Sequence, residues 1–197
     1  MLDIILFFIV LILSASFHEV AHGWAAFRQG DDTAYRLGRL TLNPLAHIEV
    51  MGSFLVPILV YISTGFVFGW AKPVPFNPYA LRDQKYGIAK VAVAGPLSNF
   101  LLAGVFALVY HLFNLEAFTV VVLVNLILGV FNLVPIPPLD GSKILSSLLP
   151  QRYRALMDGI ERYWMFVILI FVLFLWQFIF PVVSFLFYII TGSWVAL

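Results

Sequence analysis

The chain contains no cysteine and carries very little charge. Its 197 residues include no Cys, so disulfide bonds and thiolate metal sites are excluded. Only 11% of the residues are Asp, Glu, Lys or Arg, while 62% are hydrophobic. A soluble enzyme of this size cannot bury so much apolar surface, and a disordered chain would not contain it. The net charge of +1 provides no electrostatic footprint for DNA or RNA, so we expect no nucleic-acid partner.

The long apolar runs instead predict an integral membrane protein. A helix needs ~20 mostly apolar residues to cross a bilayer. Five stretches are candidates: residues 4–27, 50–71, 91–115, 117–134 and 163–197. We therefore expect an all-α polytopic membrane protein with about 4–6 transmembrane helices. The polar loops leave no room for a soluble domain, so one domain should span residues 1–197, with its core in residues 1–150 and a C-terminal membrane segment in residues 160–197.

The Lys and Arg residues fall into three regions, which predict the orientation. They lie within residues 28–39, 72–90 and 143–162. The positive-inside rule places all three regions in the cytoplasm. The expected localisation is the cell (plasma) membrane. Residues 50–71 then begin and end on the same side, which favours a re-entrant segment. The alternative is an ordinary crossing helix with one basic loop on the opposite side.

Three polar residues interrupt the first apolar stretch. His18, Glu19 and His22 form the sequence H-E-V-A-H. A charged group inside a membrane helix costs ~2.5–3.5 kcal/mol on insertion scales, and such a group usually marks a functional site. Residues four apart share one helix face, so both imidazoles can bind one metal ion beside the Glu19 carboxylate. The alternative is a polar patch that packs against a partner helix.

A catalytic zinc site needs a third protein ligand, and Asp140 is the favoured candidate. Residues 132–141 read N-L-V-P-I-P-P-L-D-G. Their prolines end regular helix near the expected depth of His18, so the unwound chain can turn Asp140 back toward the first helix. His47 is a rival ligand on the same side of the membrane. Asp140 can alternatively cap a helix that follows it.

Residues 35–43, which read YRLGRLTLN, alternate apolar and polar side chains after the first helix. Such alternation is typical of a strand. Because lipid satisfies no backbone hydrogen bond, a strand at membrane depth must be shielded by protein. The sequence therefore predicts a small membrane-inserted β region here.

Two of these motifs together resemble the site-2 protease family of zinc-dependent intramembrane metalloproteases. They are HEVAH at residues 18–22 and NLVPIPPLDG at residues 132–141, which matches the family pattern N-x-x-P-x-P-x-L-D-G at every fixed position. AGPLSNF at residues 94–100 is similar to the G-P-x-x-N turn that opens a core helix in many members. The chain resembles the short, core-only prokaryotic type, because we find no PDZ-like domain in it.

The resemblance implies a role for each matching residue. His18, His22 and Asp140 would bind one zinc ion per chain. Glu19 would be the general base and later the proton donor. Asn132, which opens the Asp motif, would contact the substrate backbone or the oxyanion.

The resemblance also implies how substrate is received. Residues 35–43 resemble the membrane-inserted β region that receives substrate in family members. We take residues 37–43, with Leu40 and Leu42, as the edge to which an extended substrate adds. A short structural hairpin without substrate contact is the alternative. Asn99 could contact substrate, but a hydrogen bond between helices is the favoured interpretation for it.

The predicted function is regulated intramembrane proteolysis, the hydrolysis of peptide bonds within or near transmembrane segments of membrane proteins. The expected partners are the lipid bilayer and transmembrane protein or peptide substrates, and a homo-oligomer is left open. The active site should open toward the cytoplasmic side. A metal transporter would carry polar residues across the whole membrane depth, whereas here they cluster at one level. An inactive homologue that binds membrane partners would lack the base or a ligand, and none is missing.

Overall fold

The computed structural model describes residues 2–64, 70–150, 159–160, 162–164, 166–167 and 176–195. The regular structure in these residues is entirely helical, which confirms the predicted all-α class. In chain order the α-helices are α1 (Leu2–Arg28), α2 (Thr33–Arg36), α3 (Val56–Thr64), α4 (Gly87–Phe113), α5 (Ala117–Asn132), α6 (Asp140–Leu148) and α7 (Trp176–Thr191). Of the predicted C-terminal segment at residues 160–197, residues 161, 165, 168–175 and 196–197 lie outside the described residues.

Two of the described helices are long and apolar enough to cross a membrane. They are Ile5–Arg28 within α1, and α4. At 1.5 Å per residue, each of the 27-residue helices α1 and α4 measures about 40 Å, which exceeds the ~30 Å hydrocarbon core of a bilayer. The apolar helices α5 and Gln177–Thr191 are shorter.

The core forms where α4, α5 and α7 pack together. Helices α4 and α5 each contribute two buried side chains four residues apart, and α7 contributes three, since Ile179 lies four residues before Val183. This spacing places them on one face of each helix. These side chains are Ala103 and Ala107, Val122 and Leu126, and Ile179, Val183 and Phe187. The alanines on α4 allow close approach of the neighbouring helices. Helix α4 also packs against α1 and α6, so it is the central element of the described fold.

Residues 50–71 do not form one continuous helix. A π-helical turn, Met51–Leu55, leads into α3, which ends at Thr64, and residues 65–69 lie outside the described residues. The backbone N–H of Trp70 then donates to the carbonyl of Gly52 over 3.0 Å. The two ends of this stretch therefore lie side by side.

The predicted β region after the first helix is not observed, since the described part of the chain contains no strand. Instead, Tyr35 and Arg36 belong to the helical turn α2, residues 37–38 form a turn, and residues 39–43 have no regular secondary structure. The Asp31 carboxylate accepts hydrogen bonds from the N–H and the hydroxyl of Thr33, immediately before the helical turn α2. The neighbouring segment contains Pro73 and Pro75, which have no N–H to donate to a ladder. No strand within the described residues pairs with residues 37–43.

The segment of residues 72–78, K-P-V-P-F-N-P, is called the proline loop below, and it is tied to the end of α1. The buried Asp31 carboxylate accepts the N–H of Asn77 over 2.6 Å. The carbonyl of Gln29 accepts the N–H of Arg82 over 2.8 Å. These bonds hold the proline loop beside the helix that carries HEVAH.

Candidate metal centre

Helices α1 and α6 bring two imidazoles and one carboxylate to a single point. His18 Nε2 and His22 Nε2 lie 3.0 Å apart, and each is 3.0 Å from Asp140 Oδ2. The exposed fractions are 6% for His18, 9% for His22 and 5% for Asp140. These three side chains form a group of potential metal ligands among the described residues.

The chain reverses sharply between α5 and α6, and this reversal positions Asp140. Helix α5 ends at Asn132, and turn hydrogen bonds connect residues 133–139. A Cβ atom at Gly141 would collide with the carbonyl oxygens of Leu133 and Val134, so only glycine fits at that point. Asp140 is the first residue of α6, but no side chain caps this helix. Its carboxylate reaches the two histidines instead.

Helix α4 provides the second hydrogen bond of each imidazole. His22 Nδ1 lies 2.7 Å from the carbonyl oxygen of Val91, and His18 Nδ1 lies 2.6 Å from Asn99 Oδ1. Because a carbonyl can only accept, Nδ1 of His22 carries a proton, and in the neutral imidazole the Nε2 lone pair faces Asp140. Hydrogen bonds of this kind orient metal-binding histidines in proteins.

Gly95 makes the close approach of α4 to both histidines possible. A Cβ atom at this position would collide with Nε2 of His22 and lie 2.6 Å from Cε1 of His18. Gly95 of the AGPLSNF motif is thus a packing requirement of the site, and Asn99 of the same motif is a hydrogen-bond partner of His18. The motif lies inside α4 and does not form the helix-opening turn that the resemblance implied.

The donor set fits a zinc ion. Zinc binds His nitrogen at about 2.0–2.1 Å and carboxylate oxygen at about 2.0–2.2 Å, which places tetrahedral ligand atoms about 3.3 Å apart. The three observed separations of 3.0 Å are close to that value. Lys143 Nζ lies 3.5 Å from the other carboxylate oxygen of Asp140, so that oxygen also has a partner.

Glu19 faces the proline loop. Its Oε2 accepts the backbone N–H of Val74 over 2.8 Å, and the side chain is half-buried. The guanidinium of Arg39 donates from Nη2 to the carbonyl of Lys72 over 3.1 Å. The proline loop is therefore bonded on one side to the HEVAH helix and on the other to residues that follow it.

Other predicted residues lie apart from the three ligand candidates. Asn132 donates from Nδ2 to the carbonyl of Leu128 over 3.0 Å, within its own helix. His47 is buried, and its Nε2 lies 2.8 Å from the carbonyl oxygen of Thr41. Neither side chain joins the group formed by His18, His22 and Asp140.

Leu40 and Leu42 differ in position. The Leu40 side chain lies against Gly23, one residue after the second histidine, where a Cβ atom would be 2.5 Å from Leu40 Cδ2. The Leu42 side chain is 47% exposed. Next to them opens a cleft of about 570 Å³, lined by Leu37, Arg39, Glu49, Lys72, Pro73 and Pro75.

Three contributions to this site were not found from the sequence. The carbonyl of Val91 and the N–H of Val74 are backbone groups, which leave no signal in the residue pattern. Asn125 hydrogen-bonds to Asn99 inside the core, and its amide in the apolar run of residues 117–131 was a usable signal.

Comparisons with known proteins identify the family. Residues 111–175 match the model described as Peptidase family M50. The chain is 39% identical over 176 residues to YwhC of Bacillus subtilis (strain 168), which is named as a zinc metalloprotease. That alignment covers 82% of this chain and 77% of YwhC. The chain belongs to peptidase family M50. This membership confirms the resemblance to site-2 proteases.

More distant relatives are longer than the region they share with this chain. Rip2 of Mycolicibacterium smegmatis is 32% identical over 167 residues, which cover 81% of this chain but 62% of Rip2. The zinc metalloprotease MJ0392 of Methanocaldococcus jannaschii is 26% identical over 151 residues, which cover 74% of this chain and 35% of that relative. No solved structure matches the chain significantly.

Proposed function

We propose that this chain is an intramembrane zinc metalloprotease of the HExxH type. In this proposal His18, His22 and Asp140 bind one zinc ion and Glu19 is the general base. The observation that carries the proposal is the convergence of three buried ligand atoms at mutual distances of 3.0 Å from two helices. Separate hydrogen bonds orient both imidazoles toward that point.

The family supports the class of enzyme and the metal. Membership in peptidase family M50, and relatives named as zinc metalloproteases, confirm the predicted protease function and zinc as its cofactor. Neither the metal transporter nor the inactive partner-binding homologue is favoured by these findings.

The side chains around the site have separate roles in metal binding and in proton transfer. A bound zinc ion supplies a Lewis acid that lowers the pKa of water to ~7. The two Nδ1–H donors keep the Nε2 lone pairs of His18 and His22 directed at the metal position. The Val74 N–H holds Glu19 Oε2, which leaves Oε1 to take a proton from water and return it to the leaving amide nitrogen.

Substrate binding is assigned to the residues that follow α2. In the part of the chain that the structure describes, the N–H groups of Leu40 and Leu42 donate to no acceptor. An unwound substrate segment can pair with these groups and replace its helical hydrogen bonds. The small β region then forms with substrate as its second strand. Arg39 and Lys72 line the adjacent cleft and give it two cationic side chains.

The proposed membrane arrangement combines this geometry with the distribution of Lys and Arg along the sequence. Residues 50–71 are proposed to be re-entrant, because the N–H of Trp70 donates to the carbonyl of Gly52 and so brings the two ends of this stretch together. With α1, α4, α5 and the C-terminal segment, the chain forms one multi-pass domain within the predicted range of four to six spans. The site opens toward the cytoplasm of a plasma membrane, and transmembrane segments of other proteins are the substrates.

Zinc content per chain tests the ligand assignment. We expect about one zinc ion in purified wild type and little in His18→Ala or Asp140→Ala. His47→Ala is the matched control, since it removes a buried histidine outside the group, and it should keep the metal. Zinc that survives Asp140→Ala but is lost in His47→Ala would overturn the assignment of the third ligand.

A second variant tests the base. Glu19→Gln should retain zinc while cleavage of a membrane-embedded substrate falls by about 10²–10⁴-fold. Cleavage at the wild-type rate would remove Glu19 from the mechanism without changing the metal assignment.

A further inference from the structure

We propose that Asn125 is a positioning residue that fixes the tautomer and the ring orientation of the His18 imidazole through Asn99. The inference rests on the proposed role of His18 as a zinc ligand. A continuous hydrogen-bonded chain connects the residues across three helices. His18 Nδ1 lies 2.6 Å from Asn99 Oδ1, Asn99 Nδ2 lies 3.0 Å from Asn125 Oδ1, and Asn125 Nδ2 lies 2.9 Å from the carbonyl oxygen of Val121.

The direction of this chain is set at its far end. An amide side chain can rotate to exchange its oxygen and its NH₂ group, so its neighbours must decide which atom faces which partner. The carbonyl of Val121 can only accept a hydrogen bond. It therefore requires the NH₂ group of Asn125 to face it, and this turns Asn125 Oδ1 toward Asn99.

The same logic carries the direction to the imidazole. Asn125 Oδ1 is an acceptor, so Asn99 must present its NH₂ group to it and its Oδ1 to His18. An amide oxygen beside Nδ1 requires the imidazole proton to sit on Nδ1. The lone pair of His18 Nε2 is then free to face Asp140 and the metal position.

A rotated Asn99 would reverse this outcome. Its NH₂ group would face Nδ1, which would have to accept, and the proton of the neutral imidazole would move to Nε2. A proton on Nε2 occupies the position that a zinc ligand needs for its lone pair. Asn99 and Asn125 both have an exposed fraction of 0%, so water cannot replace the missing partners in this core.

Asn125 also donates to Ser14, and this second hydrogen bond differs from the one to the Val121 carbonyl because it does not set the orientation of the amide. Ser14 lies on α1, and its Oγ is 2.9 Å from Nδ2 of Asn125. A hydroxyl group can donate or accept, so Ser14 cannot set the orientation of the amide as the Val121 carbonyl does. Ser14→Ala should therefore leave zinc binding nearly unchanged, although it also removes a buried hydrogen bond.

The test is zinc affinity, measured by competition with a chromophoric chelator, together with the visible spectrum of the Co²⁺-loaded protein. Loss of an outer hydrogen-bond partner typically costs about 10–100-fold in metal affinity. We expect about that loss in Asn99→Ala and about tenfold in Asn125→Leu, with an altered Co²⁺ spectrum in both. In its protonated form, Asn125→Asp keeps an oxygen acceptor for the Asn99 NH₂ group and an O–H donor for the carbonyl of Val121, so it should retain most of the affinity.

The double variant distinguishes positioning from packing. If Asn125 acts through Asn99, adding Asn125→Leu to Asn99→Ala should weaken zinc binding no further. Val124→Ala is the control, because it disturbs a buried side chain of α5 outside the chain of amides. It should lower thermal stability without changing zinc affinity or the Co²⁺ spectrum.

Several outcomes would overturn the inference. Additive losses in the double variant, or an equal loss in Val124→Ala, would reduce Asn125 to a packing residue. If Asn125→Leu does not fold, Asn125→Ala takes its place, and wild-type zinc affinity in that variant would count against the inference equally. Zinc retained by His18→Ala would instead overturn the ligand assignment, which makes the two failures distinguishable.

Discussion

Val74 donates its backbone N–H to Oε2 of Glu19 over 2.8 Å, although 55 residues separate them in sequence. The bond comes from the proline loop, in which Pro73 and Pro75 flank the donor and have no N–H of their own. Asp31 and Arg39 hold the loop at either side of this bond. One backbone amide therefore orients the proposed base, independently of the residues proposed to hold zinc.

Removal of that amide should impair cleavage without loss of metal. Val74→Pro deletes the N–H, so Glu19 loses its orienting partner, and we expect cleavage to fall by about tenfold or more with zinc content unchanged. Val74→Ala keeps the N–H and is the matched control, with cleavage close to wild type. Rates of cleavage per bound zinc measure the difference. Equal loss in both variants would show that the Val74 side chain, and not its amide, matters.

Gly95→Ala should abolish the metal site. The added Cβ atom would collide with the imidazole of His22, and both histidines would have to move. Gly104→Ala on the same helix is the control, because no atom lies within 4 Å of the position of its Cβ. Zinc content and thermal unfolding in detergent should show a large loss for the first variant and near wild-type behaviour for the second. Full zinc occupancy in Gly95→Ala would contradict the observed approach of α4.

Two adjacent aspartates should differ widely in their effect on stability. Asp31 is 1% exposed and accepts hydrogen bonds from Thr33 and Asn77, so Asp31→Ala should destabilise the fold by about 3 kcal/mol. Asp32 forms a solvent-exposed pair with Arg36, and Asp32→Ala should cost less than about 1 kcal/mol. Denaturation in detergent compares the two variants. Similar midpoints would show that the Asp31 contacts do not hold the proline loop.

The titration of Asp83 should report its ion pair with Lys90, which connects the segment before α4 to the first turn of α4. Lys90 Nζ, 2.6 Å from Asp83 Oδ2, lowers the pKa of this carboxyl to about 2. A carboxyl whose pKa is lowered on folding adds stability above its unfolded pKa of about 3.9, and that contribution is lost as the pH falls through about 2. In carbon NMR titrations we expect Asp83 to stay ionised at about pH 3, and Lys90→Met to raise its pKa. An unchanged value would assign the lowering to the backbone N–H groups of Lys85 and Tyr86.

The sequence predicted the parts of the protein that depend on burial and spacing. The lengths of the apolar runs predicted α1, α4 and α5. The polar groups of HEVAH indicated a functional site because they are costly inside an apolar helix. Proline placement indicated the chain reversal before Asp140, and the structure brings that carboxylate to the histidines.

The structure departs from the sequence predictions where backbone partners decide the local conformation. Residues 35–43 alternate like a strand, but a strand needs a neighbour with free amides, and the prolines of the adjacent loop have none. The Asn132 side chain bonds to the carbonyl of Leu128 in the preceding turn, and its contact with substrate or the oxyanion, which the resemblance implies, stays a prediction. Pattern and depth do not specify such local hydrogen bonds.

The division of the proposed zinc ligands between α1 and α6 also has a consequence for biosynthesis. Two donors enter the membrane with the first helix, but Asp140 is made 122 residues after His18. A nascent or truncated chain that ends before α6 holds only the two histidines and cannot complete the donor set. Proteolytic capacity would therefore arise only after α4 and α5 are in place, which protects neighbouring membrane proteins from incomplete copies of the enzyme.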